Sequence, residues 1–110
     1  GNWTSATVST EWSYLDWPVS SADLEKLRGV RFVFTSGSHA LEIDGVELLE
    51  NGKVIARDQH AGLAGKPSRG NFYKLSLPKG IHANNGCSLR ARVRSVGGKS
   101  SNGKLELIKE

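Results

Sequence analysis

The chain has 110 residues and a formal net charge of +4, which is the usual size of one domain and too short for a barrel enzyme or a doubly wound nucleotide-binding fold with a substrate domain. Hydrophobic residues make up 37% and charged residues 24%, a globular balance that argues against wholesale disorder. Glycine, at 13 residues, stands above its ordinary ~7% and favours a turn-rich all-β chain, and no apolar run approaches the ~18 residues of a membrane-spanning helix.

The segment Ala6–Trp17, ATVSTEWSYLDW, is rich in β-formers and stops at Pro18. It reads as one long strand, with Val8, Thr10, Trp12 and Tyr14 on one face and Ser13, Leu15 and Trp17 on the other. Ala22–Leu27 is the only helix candidate, with Ser21 as its cap and Gly29 closing it, and a loop holding one helical turn is an equal reading. Val30–Thr35 follows as a strand with Val30, Phe32 and Phe34 facing one way. Ala40–Glu50 and Lys53–Arg57 flank Asn51-Gly52, the strongest short-range hairpin signal, because a type I′ turn needs positive φ at both central residues. Alternation in the first arm breaks at Asp44-Gly45, where a β-bulge would return Val46, Leu48 or Leu49 to the core face.

His60–Gly70 reads as a glycine-rich loop, and Asn71–Leu77 as a strand with Phe72 and Tyr73 on opposite faces. Cys87–Val96 alternates most cleanly: Cys87, Leu89, Ala91 and Val93 point in, while Ser88, Arg90, Arg92 and Arg94 point out. Gly97–Gly103 reads as a loop and Leu105–Ile108 as a last strand. The sum is seven or eight antiparallel strands in a single domain over 1–110, an all-β sandwich of jelly-roll-like or immunoglobulin-like form. The lone Cys87 excludes an intrachain disulfide framework. The lack of methionine points to a mature product or a piece of a longer polypeptide, with Gly1 as a remnant of cloning.

Catalysis finds little support. No Gly-x-Ser-x-Gly elbow is present, and His39, His60 and His82 fall in separate loops without metal-ligand spacing. Asp44 with Glu47, or Asp16 with Asp23, are the available carboxylate pairs, and such pairs are ordinary on a sandwich surface. Trp3, Trp12 and Trp17, with Tyr14 between, are candidate stacking platforms for sugar rings; the competing roles are core plug and contact with a neighbouring domain. Arg90, Arg92 and Arg94 form a basic stripe with ~7 Å steps. It suits either the acidic groups of a polysaccharide or cross-strand pairing with Glu42, Asp44 or Glu47, and pairing is the favoured reading. Eight aromatics and no RNA- or DNA-binding motif argue against a nucleic-acid partner. In Arg57-Asp58-Gln59-His60 and its trailing glycines, Asp58 is expected to latch the loop through backbone N–H groups, with Arg57 paired elsewhere; a Ca²⁺ site at Asp58 is the weaker alternative.

Five short motifs then fall in order: Gly37/His39/Leu41/Ile43, Val46–Leu49 with Gly52-Lys53, Arg57/Asp58/His60/Gly62/Gly65, Tyr73–Pro78, and Gly97/Gly98/Ser101/Asn102/Gly103. Over about residues 30–107 the chain resembles the C-terminal β-sandwich module of bacterial β-hexosaminidases and related exported glycan-degrading enzymes. It departs from that pattern at Gly45, where members often carry Trp, and at Lys99-Ser100, where they carry Thr-Asp. The resemblance implies a non-catalytic, periplasmic or secreted accessory module whose partner is a glycan or an adjacent catalytic domain, without cofactor and without membrane insertion. An interdomain scaffold that touches no sugar is the alternative.

Overall fold

The structure is a computed structural model and describes residues 5–110. Nine antiparallel strands form a two-sheet sandwich: β1 Ala6–Val8, β2 Ser13–Val19, β3 Leu27–Ser36, β4 Leu41–Glu50, β5 Lys53–Asp58, β6 Gly62–Ala64, β7 Phe72–Lys74, β8 Cys87–Ser95 and β9 Ser101–Lys109. One sheet has the order β1-β9-β3-β7 and the other β2-β8-β4-β5, with β6 beside the first half of β4. Only the β4–β5 and β5–β6 connections stay within a sheet. The two inner faces meet in one core that includes Val8, Trp17, Phe32, Ile43, Leu48, Tyr73, Leu89, Val93 and Leu105. No helix among the described residues is long and apolar enough to cross a membrane.

The expected single strand over Ala6–Trp17 is two strands in different sheets. Val8 pairs with Ser101 in one sheet, and Ser13 pairs with Val93 in the other. Between them the Ser9 carbonyl accepts the Ser95 N–H at 2.7 Å, and the Ser9 hydroxyl accepts the Glu11 N–H at 3.1 Å. Val8 therefore points into the core, while Tyr14, expected on its face, points to solvent. Nor does Pro18 end the strand: β2 lies at a sheet edge, where a missing N–H need break no ladder bond.

The helix α1 spans Ser21–Lys26, one residue earlier than expected, because Ser20 rather than Ser21 accepts the Asp23 N–H. It ends before Gly29, since buried Leu27 already begins β3. The Asn51-Gly52 turn has positive φ at both residues, 49° and 83°. The expected bulge is present: the β4–β8 register shifts between Ile43 and Gly45, and Val46 and Leu48 are buried. Strand β8 alternates inward and outward along its whole length, and burial of Cys87 raises its thiol pKa.

Two expected loops contain strand. Gly62–Ala64 pairs with Leu41–Ile43, Ser101–Gly103 pairs with β1, and Asn102 and Gly103 pair with β3 as well. Ser101 is buried with its hydroxyl donating to the His39 carbonyl at 2.7 Å and accepting the His39 N–H at 3.2 Å. Conversely, β7 ends at Lys74, although the Leu75 N–H beyond it still donates to the Arg28 carbonyl at 3.2 Å and its side chain remains in the core.

Candidate functional site

The outward face of the β2-β8-β4-β5 sheet gathers most of the polar and aromatic candidates. The outward side chains stand in rows set by the strand register. On β2 and just before it come Trp12, Tyr14 and Asp16; on β8, Arg94, Arg92 and Arg90; on β4, Glu42, Asp44 and Glu47; on β5, Arg57. Each arginine of β8 meets a carboxylate on one side and an aromatic ring on the other. Arg90 Nη2 donates to Glu47 Oε1 at 2.7 Å, Arg92 Nη1 to Asp44 Oδ2 at 2.7 Å, and Arg94 Nη2 to Glu42 Oε1 at 3.1 Å. The Arg90 guanidinium lies 4.5 Å from the Tyr14 ring centre, and those of Arg92 and Arg94 lie 4.7 and 4.9 Å from the Trp12 ring.

Of the two roles expected for this stripe, acidic-polysaccharide contact and cross-strand pairing, the arginines are found in the second. Such partly exposed ion pairs add at most about 1 kcal/mol each, so their main effect is to hold side chains in place. Glu47 is bridged by two cations, since Arg57 Nη2 donates to its second oxygen at 2.7 Å. Burial raises the Glu47 pKa, but the hydrogen bonds and charges of Arg90 and Arg57 outweigh it and the net shift is downward.

The aromatic candidates separate. Trp17 is 6% exposed and meets Phe32 edge-on at 6.2 Å, so it belongs to the core and presents no platform. Trp12 is half-buried beneath its two arginines. Tyr14 is 54% exposed. Trp3 lies outside the described residues. Beside Tyr14 a depression of about 230 Å³ opens between Asp44, Gly45, Glu47, Arg57, Asp58, Gln59, Arg90 and Arg92. Gly45 and Gln59 join the site through the register across four strands, which alone brings them to Tyr14.

Asp58, His60 and Tyr73 form a separate clamp at the rim. The Asp58 carboxylate accepts the Lys74 N–H at 2.7 Å on one oxygen and meets His60 Nδ1 at 2.9 Å on the other. His60 Nε2 lies 2.9 Å from the Gly70 carbonyl. The imidazole stacks on Tyr73 at 4.2 Å, and the Tyr73 hydroxyl donates to the His60 carbonyl at 3.1 Å. Gly62 completes the clamp, since a Cβ there would come within 2.5 Å of both the Gly70 carbonyl oxygen and the Tyr73 hydroxyl. Asp58 therefore uses both oxygens within the protein, and Arg57 pairs elsewhere, with Glu47. No group of three or more His, Cys, Asp or Glu side chains suited to a metal ion occurs among the described residues.

Both His60 ring nitrogens face oxygen acceptors, so the doubly protonated ring satisfies both contacts. Burial of the ring lowers its pKa, but the Asp58 and Gly70 hydrogen bonds and the Asp58 charge overcome this, and the net shift is upward from 6.5. A raised folded pKa gives stability that is complete below about 6.5 and fades as pH climbs through the folded value. The melting temperature of the wild type is therefore expected to fall from pH 6 to pH 8.5, and His60→Ala should flatten that dependence. Parallel wild-type and mutant curves over this range would exclude the protonated clamp.

Comparison of the chain with protein-family models and with curated protein sequences finds no match.

Proposed function

We propose that the chain is a non-catalytic, carbohydrate-binding accessory module of an exported glycan-degrading enzyme, the role implied by its resemblance to the β-hexosaminidase module. The observation that carries this reading is Tyr14, more than half exposed beside a depression lined by hydrogen-bonding side chains. A flat apolar ring next to a few fixed polar groups is the usual composition of a small-molecule site. Aromatic faces suit the axial C–H groups of a pyranose. A non-catalytic role is supported by the ion-paired state of Asp44 and Glu47. With its pKa held down, Glu47 is a poor general acid, because catalysis of that kind needs a proton retained near neutral pH. The periplasm or the cell exterior is the compartment proposed on the same resemblance.

Affinity electrophoresis of the isolated chain through glycan-containing gels tests the proposal. Wild type should be retarded, and Tyr14→Ala should weaken retention at least about tenfold, equivalent to ~1.4 kcal/mol, without changing the melting temperature. Absence of retention in any gel would refute it. The alternative of an interdomain scaffold is favoured by Phe72, 41% exposed on β7, and by an open hollow lined by Ala40, Ala61, Leu63 and Val96 together with Glu42 and Arg69. That reading expects no glycan retention and a neighbouring domain that shields Phe72 and Val96 from solvent.

A further inference from the structure

We propose that the depression beside Tyr14 takes a single neutral pyranose and discriminates against sulfated sugars and uronic acids; this rests on the carbohydrate-binding reading above. The argument begins with charge. Three carboxylates, Asp44, Glu47 and Asp58, and three guanidiniums, Arg57, Arg90 and Arg92, line the depression. The guanidiniums are engaged at 2.7 Å by the carboxylates of Asp44 and Glu47. A sulfate or carboxylate approaching any of these arginines meets a fixed negative charge beside it, or must displace that charge and leave it partly desolvated.

A hydroxyl group meets no such conflict. Arg92 donates to Asp44 through Nη1, and Arg57 donates to Glu47 through Nη2. A guanidinium has five N–H donors and a carboxylate about four acceptor positions, so each pair retains capacity for both kinds of bond. An ion pair of this sort presents a donor next to an acceptor. Vicinal hydroxyls of a neutral sugar complement that pattern, one accepting from the arginine while its neighbour donates to the carboxylate.

Shape agrees with this chemistry. About 230 Å³ is below the ~300–1,000 Å³ typical of sites for drug-sized ligands and suits one ring rather than a chain. Gly45 at the β4 bulge lines the depression, and a Cβ there would lie 3.3 Å from the Asp58 carbonyl oxygen and the Gln59 Cα of the same lining. Arg90 stands against one side of the Tyr14 ring, and the residue is still 54% exposed, which leaves apolar surface for the sugar's C–H groups.

The test is retention of wild type, Tyr14→Ala and Gly45→Gln on neutral glycans ending in glucose, galactose, mannose, fucose or N-acetylglucosamine, and on heparin and polygalacturonate, at 50 and 500 mM NaCl. Exposed charges are strongly screened at the higher salt. The expected result is retention on at least one neutral terminus, changing less than about twofold with salt, and at least about tenfold weaker in both variants. Stronger retention on heparin or polygalacturonate that collapses at 500 mM NaCl would overturn the inference and leave the carbohydrate-binding reading standing. Neutral binding unaffected by either variant would also overturn it, since the sugar would then sit elsewhere. No retention on any glycan would remove both.

Discussion

Trp17→Ala is expected to lower the stability of the fold by about 3–5 kcal/mol, the range for truncating a large buried aromatic. The indole is 6% exposed, lies opposite Leu89 in the β2–β8 register and packs edge-on against Phe32 from the other sheet. Its removal would therefore open a cavity where the two sheets meet. Since single domains have only about 5–15 kcal/mol of total stability, chemical denaturation should show the midpoint falling by about a fifth or more of its value. Trp17→Phe should recover part of the loss, because some ring contact with Phe32 is restored. Glycan retention of Trp17→Phe, measured well below its melting temperature, should equal that of the wild type. A Trp17→Ala variant as stable as the wild type but without retention would instead make Trp17 a sugar platform.

Trp12 does not share this position, and the reason shows where sequence reading stops. Alternation is unbroken through ATVSTEWSYLDW, so nothing local marks the switch between sheets after Val8. The switch is tertiary: the Ser9 carbonyl is claimed by Ser95, and Val8 fills the core from the opposite sheet. Strand β6 and the start of β9 carry no local strand signal for a related reason. Their Gly, Ser and Asn residues have low strand propensity, but pairing with β4, β1 and β3 overrides it. What was legible had a local cause. The Asn51-Gly52 turn follows from φ, the bulge at Asp44-Gly45 from interrupted alternation, and the inward Cys87 from strict period two.

At the candidate site, the acidic partners of Arg90, Arg92 and Arg94 could be named from residue type and strand face. The depression could not, because Tyr14, Gly45 and Gln59 are brought together only by the register of four strands and a one-residue bulge. The motifs that carry the resemblance also have identifiable packing roles. Ser101 ties the His39 backbone, Asn102 bonds Thr7 and Ser36, and His60 and Gly62 build the clamp around Tyr73. These residues bear on the architecture, whereas Tyr14 and Gly45, which lie outside or depart from those motifs, line the depression.

Asp58→Ala is expected to cost about 1–3 kcal/mol, the penalty for leaving a partly buried donor without its acceptor. Two donors lose a partner together: the Lys74 N–H, held at 2.7 Å, and His60 Nδ1, held at 2.9 Å. The His60 ring would retain the Gly70 carbonyl and the Tyr73 stack, so the loop should loosen rather than detach. Because Asp58 and His60 act in one network, their substitutions should not add. His60→Ala should cost less in the Asp58→Ala background than in the wild type, by at least about 0.5 kcal/mol, the lower end for residues in contact. Millimolar Ca²⁺ should leave the wild-type melting temperature unchanged, since both Asp58 oxygens are engaged within the protein. A ligand that binds only the folded state raises the melting temperature. A rise of several degrees with Ca²⁺, reversed by chelator and absent in Asp58→Ala, would therefore identify Asp58 as a metal ligand instead of a latch. Strict additivity of the two substitutions would show that the clamp is not a coupled unit.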